Sequence, residues 1–199
     1  MSKLETNTID TVSGTSTLQV GSTNTTTITL GVSGDTINVP SGVTIANSGT
    51  ATGFGANTPM FAATGASNAI SSATYVKAQN GTELFDTDNC YDNSSNYRFT
   101  PNAAGKYFLS NRISVNPDNQ MQYIFAAIYK NGSRIAEMHQ GYVNSDPIGN
   151  SYFSIELNMI AEANGSSDYF EAYAYMHQNG DFRSTSGENL FLGYKIIGA

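Results

Sequence analysis

IFAAIYKNGSRIA, residues 124–136, is the stretch on which the fold turns. Seven residues rich in Ile, Ala and aromatic side chains run to Lys130. Asn131-Gly132 interrupts them, and Ser133-Arg134-Ile135-Ala136 resumes. An Asn-Gly pair tolerates the backbone angles of a tight turn, so the stretch reads as two strands folded back on each other. Three further Asn-Gly pairs begin at Asn80, Asn164 and Asn179, each a turn signal of the same kind. DYFEAYAY, residues 168–175, reads as another strand, and FLGYKII, residues 191–197, as the last. Apolar residues at helical spacing are absent over any long stretch. Many short strands at close intervals imply an all-β sandwich or barrel.

Working outward from this region, the composition breaks near Gly53-Phe54-Gly55. Phe54 is the first aromatic residue of the chain, and all 12 Tyr and the other Phe residues follow it. Two parts are expected: residues 1–54, thin and poor in large side chains, and residues 55–199, able to build a core.

The thin part carries alternating aliphatic pairs: Leu18 and Val20, Ile28 and Leu30, Ile37 and Val39, Val43 and Ile45. Period-two spacing marks strands with one buried face. One copy has too few apolar side chains to offset an ordering cost of about 1–2 kcal/mol per residue. Several copies wound about one axis would each send this stripe inward and share a core. A Ser/Thr/Gly linker is the bland alternative, but a linker has no reason to space Ile and Val in twos.

The net charge of −7 with scattered basic residues disfavours nucleic acid and anionic membrane surfaces as partners. Cys90 is the sole cysteine, which excludes a disulfide within one chain. No apolar run is long enough to span a bilayer, and MSKLE lacks the apolar stretch of a signal peptide. The expectation is synthesis in a cytoplasm without the usual export route. The five Asn-x-Ser/Thr triplets then read as turns.

Phe85-Asp86, Tyr91-Asp92, Phe99-Thr100-Pro101, Gly105, Tyr107 and Leu109, in this order, carry a family resemblance. They are similar to the signature of the globular head of complement component one, subunit q, which shares its fold with the tumour necrosis factor superfamily. Phe61 and Ala63 resemble that family's first strand, and the 128–132 turn its central hairpin. Ser167–Glu171 resemble a late strand, and Phe191, Gly193 and Tyr194 the closing one. Leu109 stands where an aromatic is usual, and Ser167 where Gly is usual. The resemblance implies a ten-stranded jelly roll that trimerises, commonly on a fibrous stalk, and acts by recognition. Residues 1–54, opening MSKLETNTID and continuing TITLGVSGDTINVPSGVTIAN, resemble short shafts of tailed-bacteriophage fibre proteins. Together they suggest a homotrimeric virion fibre. Its N-terminus would dock to a tail or capsid protein and its head would bind a host-surface glycan or protein. The alternative is a decoration fibre with no dedicated receptor.

Site expectations follow. Tyr107, Leu109, Tyr173, Tyr175, Phe191 and Tyr194 are expected at subunit interfaces. A second aromatic stripe suits such a contact better than a core or a ligand groove. Recognition is expected in loops 86–96, 116–122 and 144–150, with Tyr91, Tyr97 and Tyr123 stacking on sugar rings. No catalytic constellation is discernible, so the chain is read as a non-enzyme. No cofactor is implied. Asp86, Asp88 and Asp92 offer oxygen ligands for calcium but suit a turn equally well. His139 and His177 occupy matching Met-His-Gln contexts, and copies of one could meet on a threefold axis.

Overall fold

The computed structural model describes residues 20, 24, 26–46, 48, 57–142, 152–185 and 187–197. The chain divides into two compact units, 1–50 and 51–199.

In the first unit, none of the described residues lies in a strand. Extended segments are punctuated by turns at Gly34 and Gly42, both at positive φ. Asp35 closes the first turn: its N–H donates to Val32 O and its Oδ2 accepts from Val32 N at 2.8 Å. Among the described residues of this unit the expected strands are therefore not formed within one chain, and these segments find no neighbour to complete a ladder. Val20, Ile28, Leu30, Ile37, Val39, Val43 and Ile45 are all at least 40% exposed. Leu18 lies outside the described residues.

The second unit is an all-β sandwich, as its turn-punctuated sequence requires. Its described strands are β1 Met60–Thr64, β2 Ala69–Ile70, β3 Tyr75–Lys77, β4 Thr82–Asp86, β5 Tyr91–Asp92 and β6 Arg98–Phe99. They continue with β7 Ala104–Pro117, β8 Tyr123–Lys130, β9 Ser133–Gly141, β10 Phe153–Asn164, β11 Phe170–Met176, β12 Gly180–Phe182 and β13 Leu190–Lys195. Thirteen strands are counted among the described residues, against the ten of the expected jelly roll, because several are pieces of two or three residues.

One sheet is built on the long β7. β10 pairs along one edge, β13 and β12 share the other, and β1 and β4 continue beyond β13. The second sheet runs β5-β6-β11-β8-β9, with β3 also on β11. All ladders are antiparallel. The β8–β9 hairpin turns through Asn131 at φ 53° and Gly132 at φ 77°.

Alternate residues of both sheets meet in one core. Phe61 stacks on Tyr91 and Phe99, with centroids 4.9 and 4.4 Å away, and meets Phe191 edge-on at 5.0 Å. Ile113, Val115, Ile124 and Met176 fill the other half. Asn111, fully buried on β7, spans the sandwich: its amide donates to Ala127 O at 2.9 Å and Tyr173 O at 3.0 Å in the opposite sheet.

Only Asn131-Gly132 of the four Asn-Gly pairs forms a two-residue hairpin turn; Gly165 bends the chain after β10, while Asn80-Gly81 and Asn179-Gly180 lead into β4 and β12. The four pairs nevertheless share a feature. Each Asn Oδ1 accepts a backbone N–H: Asn80 from Ala66, Asn131 from Tyr169, Asn164 from Ser166, Ser167 and Asp168, and Asn179 from Ser72. Asn80, Asn131 and Asn179 thereby fasten their segments to distant parts of the sandwich, while Asn164 closes its own loop.

Candidate functional site

Three surfaces of the sandwich carry chemistry. The first is the outer face of the β7 sheet. Strand register sets Ile160, Phe108, Tyr194 and Met60 in one row across β10, β7, β13 and β1. Phe108 and Tyr194 stack at 5.2 Å, Ile160 is exposed, and Leu84 and Phe85 extend the patch on β4. A hollow of about 220 Å³ opens among Met60, Phe85, Leu192 and Tyr194. Toward the other end the face turns polar, with Ser110 donating to Glu156. The apolar half is the kind of surface that a protein contact covers.

Tyr194 is the only one of the six expected interface residues on this face. Tyr107, Leu109 and Phe191 are fully buried inside a single chain, which corrects the expectation for them. Period two correctly puts Tyr107 and Leu109 on one side of β7, but that side faces the core. Arg112 marks the outer one.

The second surface is the outer face of the other sheet. Here Tyr75, Tyr175, Phe125 and His139 stand in register across β3, β11, β8 and β9. Successive ring centroids are 4.9, 5.0 and 3.8 Å apart. Tyr129 and Tyr173 form a second stack at 4.0 Å. Phe125 is stacked face to face with both Tyr175 and His139, whereas Tyr75 is tilted by 49° against Tyr175.

Its charges are paired within it. Glu137 accepts from the Tyr75 hydroxyl, meets Arg134 Nη1 at 3.0 Å and His139 Nε2 at 2.8 Å, and its carboxyl is held below the usual range, chiefly by the tyrosine. Burial, then Glu137, pushes the Tyr75 phenol up to about 12. Lys77 meets Glu171 at 2.5 Å. Tyr173 and Tyr175 belong to this wall, on a different sheet from Tyr194. Tyr123 belongs to it as well, stacked on Phe125 at 5.3 Å, so it sits in a sheet rather than a recognition loop. His177 meets Tyr123 edge-on at 5.2 Å.

The third surface is a polar cleft of about 500 Å³ beside β5 and β6, walled by Glu83, Asn89, Asn93, Ser94, Arg98 and Thr100 among others. Asp92 shapes one wall. Its Oδ1 accepts from Ser94 N at 3.0 Å and Ser95 N at 2.9 Å, and its Oδ2 from Asn96 N and Nδ2. The amides of Ser95 and Ser94, then Asn96, drive its pKa far below the usual value. Arg98 lies over the Tyr169 ring at 4.4 Å. Tyr97 adopts φ 49°, an uncommon angle for its side chain.

Tyr91, expected to stack on a ligand, is buried against Phe61, and its hydroxyl donates to Asn80 O. A two-residue strand gives no pattern from which inside and outside can be told. The three candidate calcium ligands bond to the loops that follow β4 and β5: Asp86, at the end of β4, accepts from Tyr91 N and Asp88 N, Asp88 from the Thr87 hydroxyl, and Asp92, at the end of β5, as above. Among the described residues no three His, Cys, Asp or Glu side chains converge as a metal site.

The expected loops do not share an end. Loop 86–96 begins where the chain enters β1, with Thr87 N bonded to Met60 O at 3.0 Å. Loop 116–122 lies at the opposite end, where Asp118 N donates to Asn179 O. Loop 144–150 is outside the described residues.

No protein-family model and no curated protein sequence matches the chain. Solved structures do. The Eiger TNF of S. frugiperda superposes with a TM-score of 0.53 at 8% identity, covering 70% of this chain and 93% of that one. Murine APRIL gives 0.52 at 8% identity, covering 69% and 98%. At this identity the likeness establishes the fold, and the fold alone: the second unit is a tumour necrosis factor-like jelly roll.

Proposed function

We propose that the chain is a homotrimeric bacteriophage fibre protein whose jelly-roll head attaches the virion to a host-surface component, and that it is not an enzyme. The observation that carries the reading is the row of aliphatic side chains from Val20 to Ile45, each at least 40% exposed in one chain. Other copies wound about the same axis would cover such a row and take it out of water. The apolar half of the β7 sheet's outer face asks for the same thing in the head, and Tyr194 lies on it. The likeness of residues 1–54 to phage fibre shafts supplies the setting, with the N-terminus as the anchor to a tail or capsid protein. Attachment is tested by competition. Free full-length protein is added to host cells before virus, and a fall in adsorption supports the reading. Unchanged adsorption, with the protein located on virions by labelled antibody, favours a decoration fibre instead.

A further inference from the structure

The geometry points to the cleft beside β5 and β6 as a binding site for a neutral carbohydrate, with Arg98 and Glu83 clasping adjacent sugar hydroxyls. The inference rests on the receptor-binding reading above and names its ligand class and place.

Arg98 and Glu83 border the same cleft of about 500 Å³ without meeting each other. Among the described residues neither makes an ion pair or a side-chain hydrogen bond, whereas Lys77, Lys130, Arg134 and Arg183 each meet a carboxylate. Arg98 is a half-buried residue whose guanidinium is braced on Tyr169. That contact engages the face of the guanidinium and leaves its in-plane donors for an acceptor. Asp92 contributes no free acceptor, since both its oxygens hold the loop 94–96. The wall is thereby preorganised, which lowers the ordering cost of binding.

What fits is decided by the pairing of groups. Arg98 offers donors only and Glu83 acceptors only. A phosphate or carboxylate ligand would satisfy Arg98 but would face Glu83, ionised Asp92 and a chain of net charge −7. A cation would satisfy Glu83 and meet Arg98. Neighbouring hydroxyls on a pyranose ring serve both, each accepting from the guanidinium and donating to the carboxylate. Ser94, Thr100, Asn89 and Asn93 supply more groups of the same dual character around them.

The test uses full-length protein and the methyl glycosides of glucose, galactose, mannose, rhamnose and N-acetylglucosamine. N-acetylneuraminic and glucuronic acids serve as acidic comparators. Ligand-observed NMR and calorimetry are the readouts. At least one neutral glycoside is expected to bind, and Arg98→Gln and Glu83→Gln should each weaken it about tenfold or more. Glu83 is exposed, so its variant leaves the fold intact; unchanged mass and circular dichroism confirm this for both. Binding of no neutral glycoside, binding confined to the acidic sugars, or affinity unchanged in both variants overturns the proposal. If the parent blocks viral adsorption yet binds no glycoside, the cleft assignment falls and the fibre reading stands.

Discussion

Asn111 holds the two sheets together from the inside. Its amide serves two carbonyls of the opposite sheet, and its Oδ1 has no partner among the described residues. Asn111→Ala removes both bonds and opens a cavity, so a loss of about 2–4 kcal/mol is expected in urea unfolding. Asn111→Leu fills the space and removes the orphan oxygen, and should cost less. Asp168 gives a pH signature. The Asn131 side chain, then Lys130, lowers its pKa from 3.8 to about 2. Above the ordinary value both folded and unfolded chains are ionised there and the stabilisation is complete. As pH falls through 3.8 the unfolded chain takes up the proton first, so stability declines until the folded group protonates near 2. Asp92 shifts in the same direction. Melting temperatures measured from pH 5 to pH 2 should fall across that window, and less steeply in Asp168→Asn. Little of this was legible beforehand. A lone Asn between Ser110 and Arg112 carries no pattern, and Arg98 gains meaning only from Tyr169 and Glu83, which folding brings to it.

The hairpin of β8 and β9 was readable because Asn131-Gly132 splits two runs of strand residues, and its two positive φ values follow from those residue types. Along β7 period two puts Tyr107 and Leu109 on one face, but which face lies inside was not readable. Tyr107 and Phe108 are equally apolar on opposite sides. The turns also differ in ways the dipeptide alone hides. A Cβ on Gly165 would lie 2.2 Å from Ala104 N, whereas one on Gly132 meets nothing nearer than the Tyr169 hydroxyl at 3.7 Å. Gly132→Ala should therefore cost about 1 kcal/mol, the backbone penalty at positive φ. Gly165→Ala forces β7 to shift at its start and should cost several times more. Chemical denaturation of the two variants makes the comparison.

The two units make different demands on association. The head has a complete core in one chain, so a fragment beginning at Ala56 should fold by itself. Residues 1–53 should not, since their described aliphatics find no cover within one chain. Light scattering on the full chain should give the mass of three copies at micromolar concentration; a stable monomer would count against the fibre reading. A circular dichroism spectrum of an ordered, self-associating 1–53 peptide would count against the division of labour. The fastened turns bear on how such a particle ages. In an Asn-Gly pair the backbone nitrogen of the glycine can attack the side-chain amide carbon and expel ammonia, closing a cyclic imide that water then opens, largely to a kinked isoaspartate. That attack needs the amide to swing free, and at all four pairs its oxygen is already held by a backbone N–H. Folded protein kept for weeks in warm, mildly alkaline buffer should show little deamidation at these sites by peptide mass mapping, while the same chain in urea deamidates rapidly. On the fibre reading proposed above, the protein would work outside a cell with no means of replacement, and Asn-Gly pairs held this way would give its head a long shelf life.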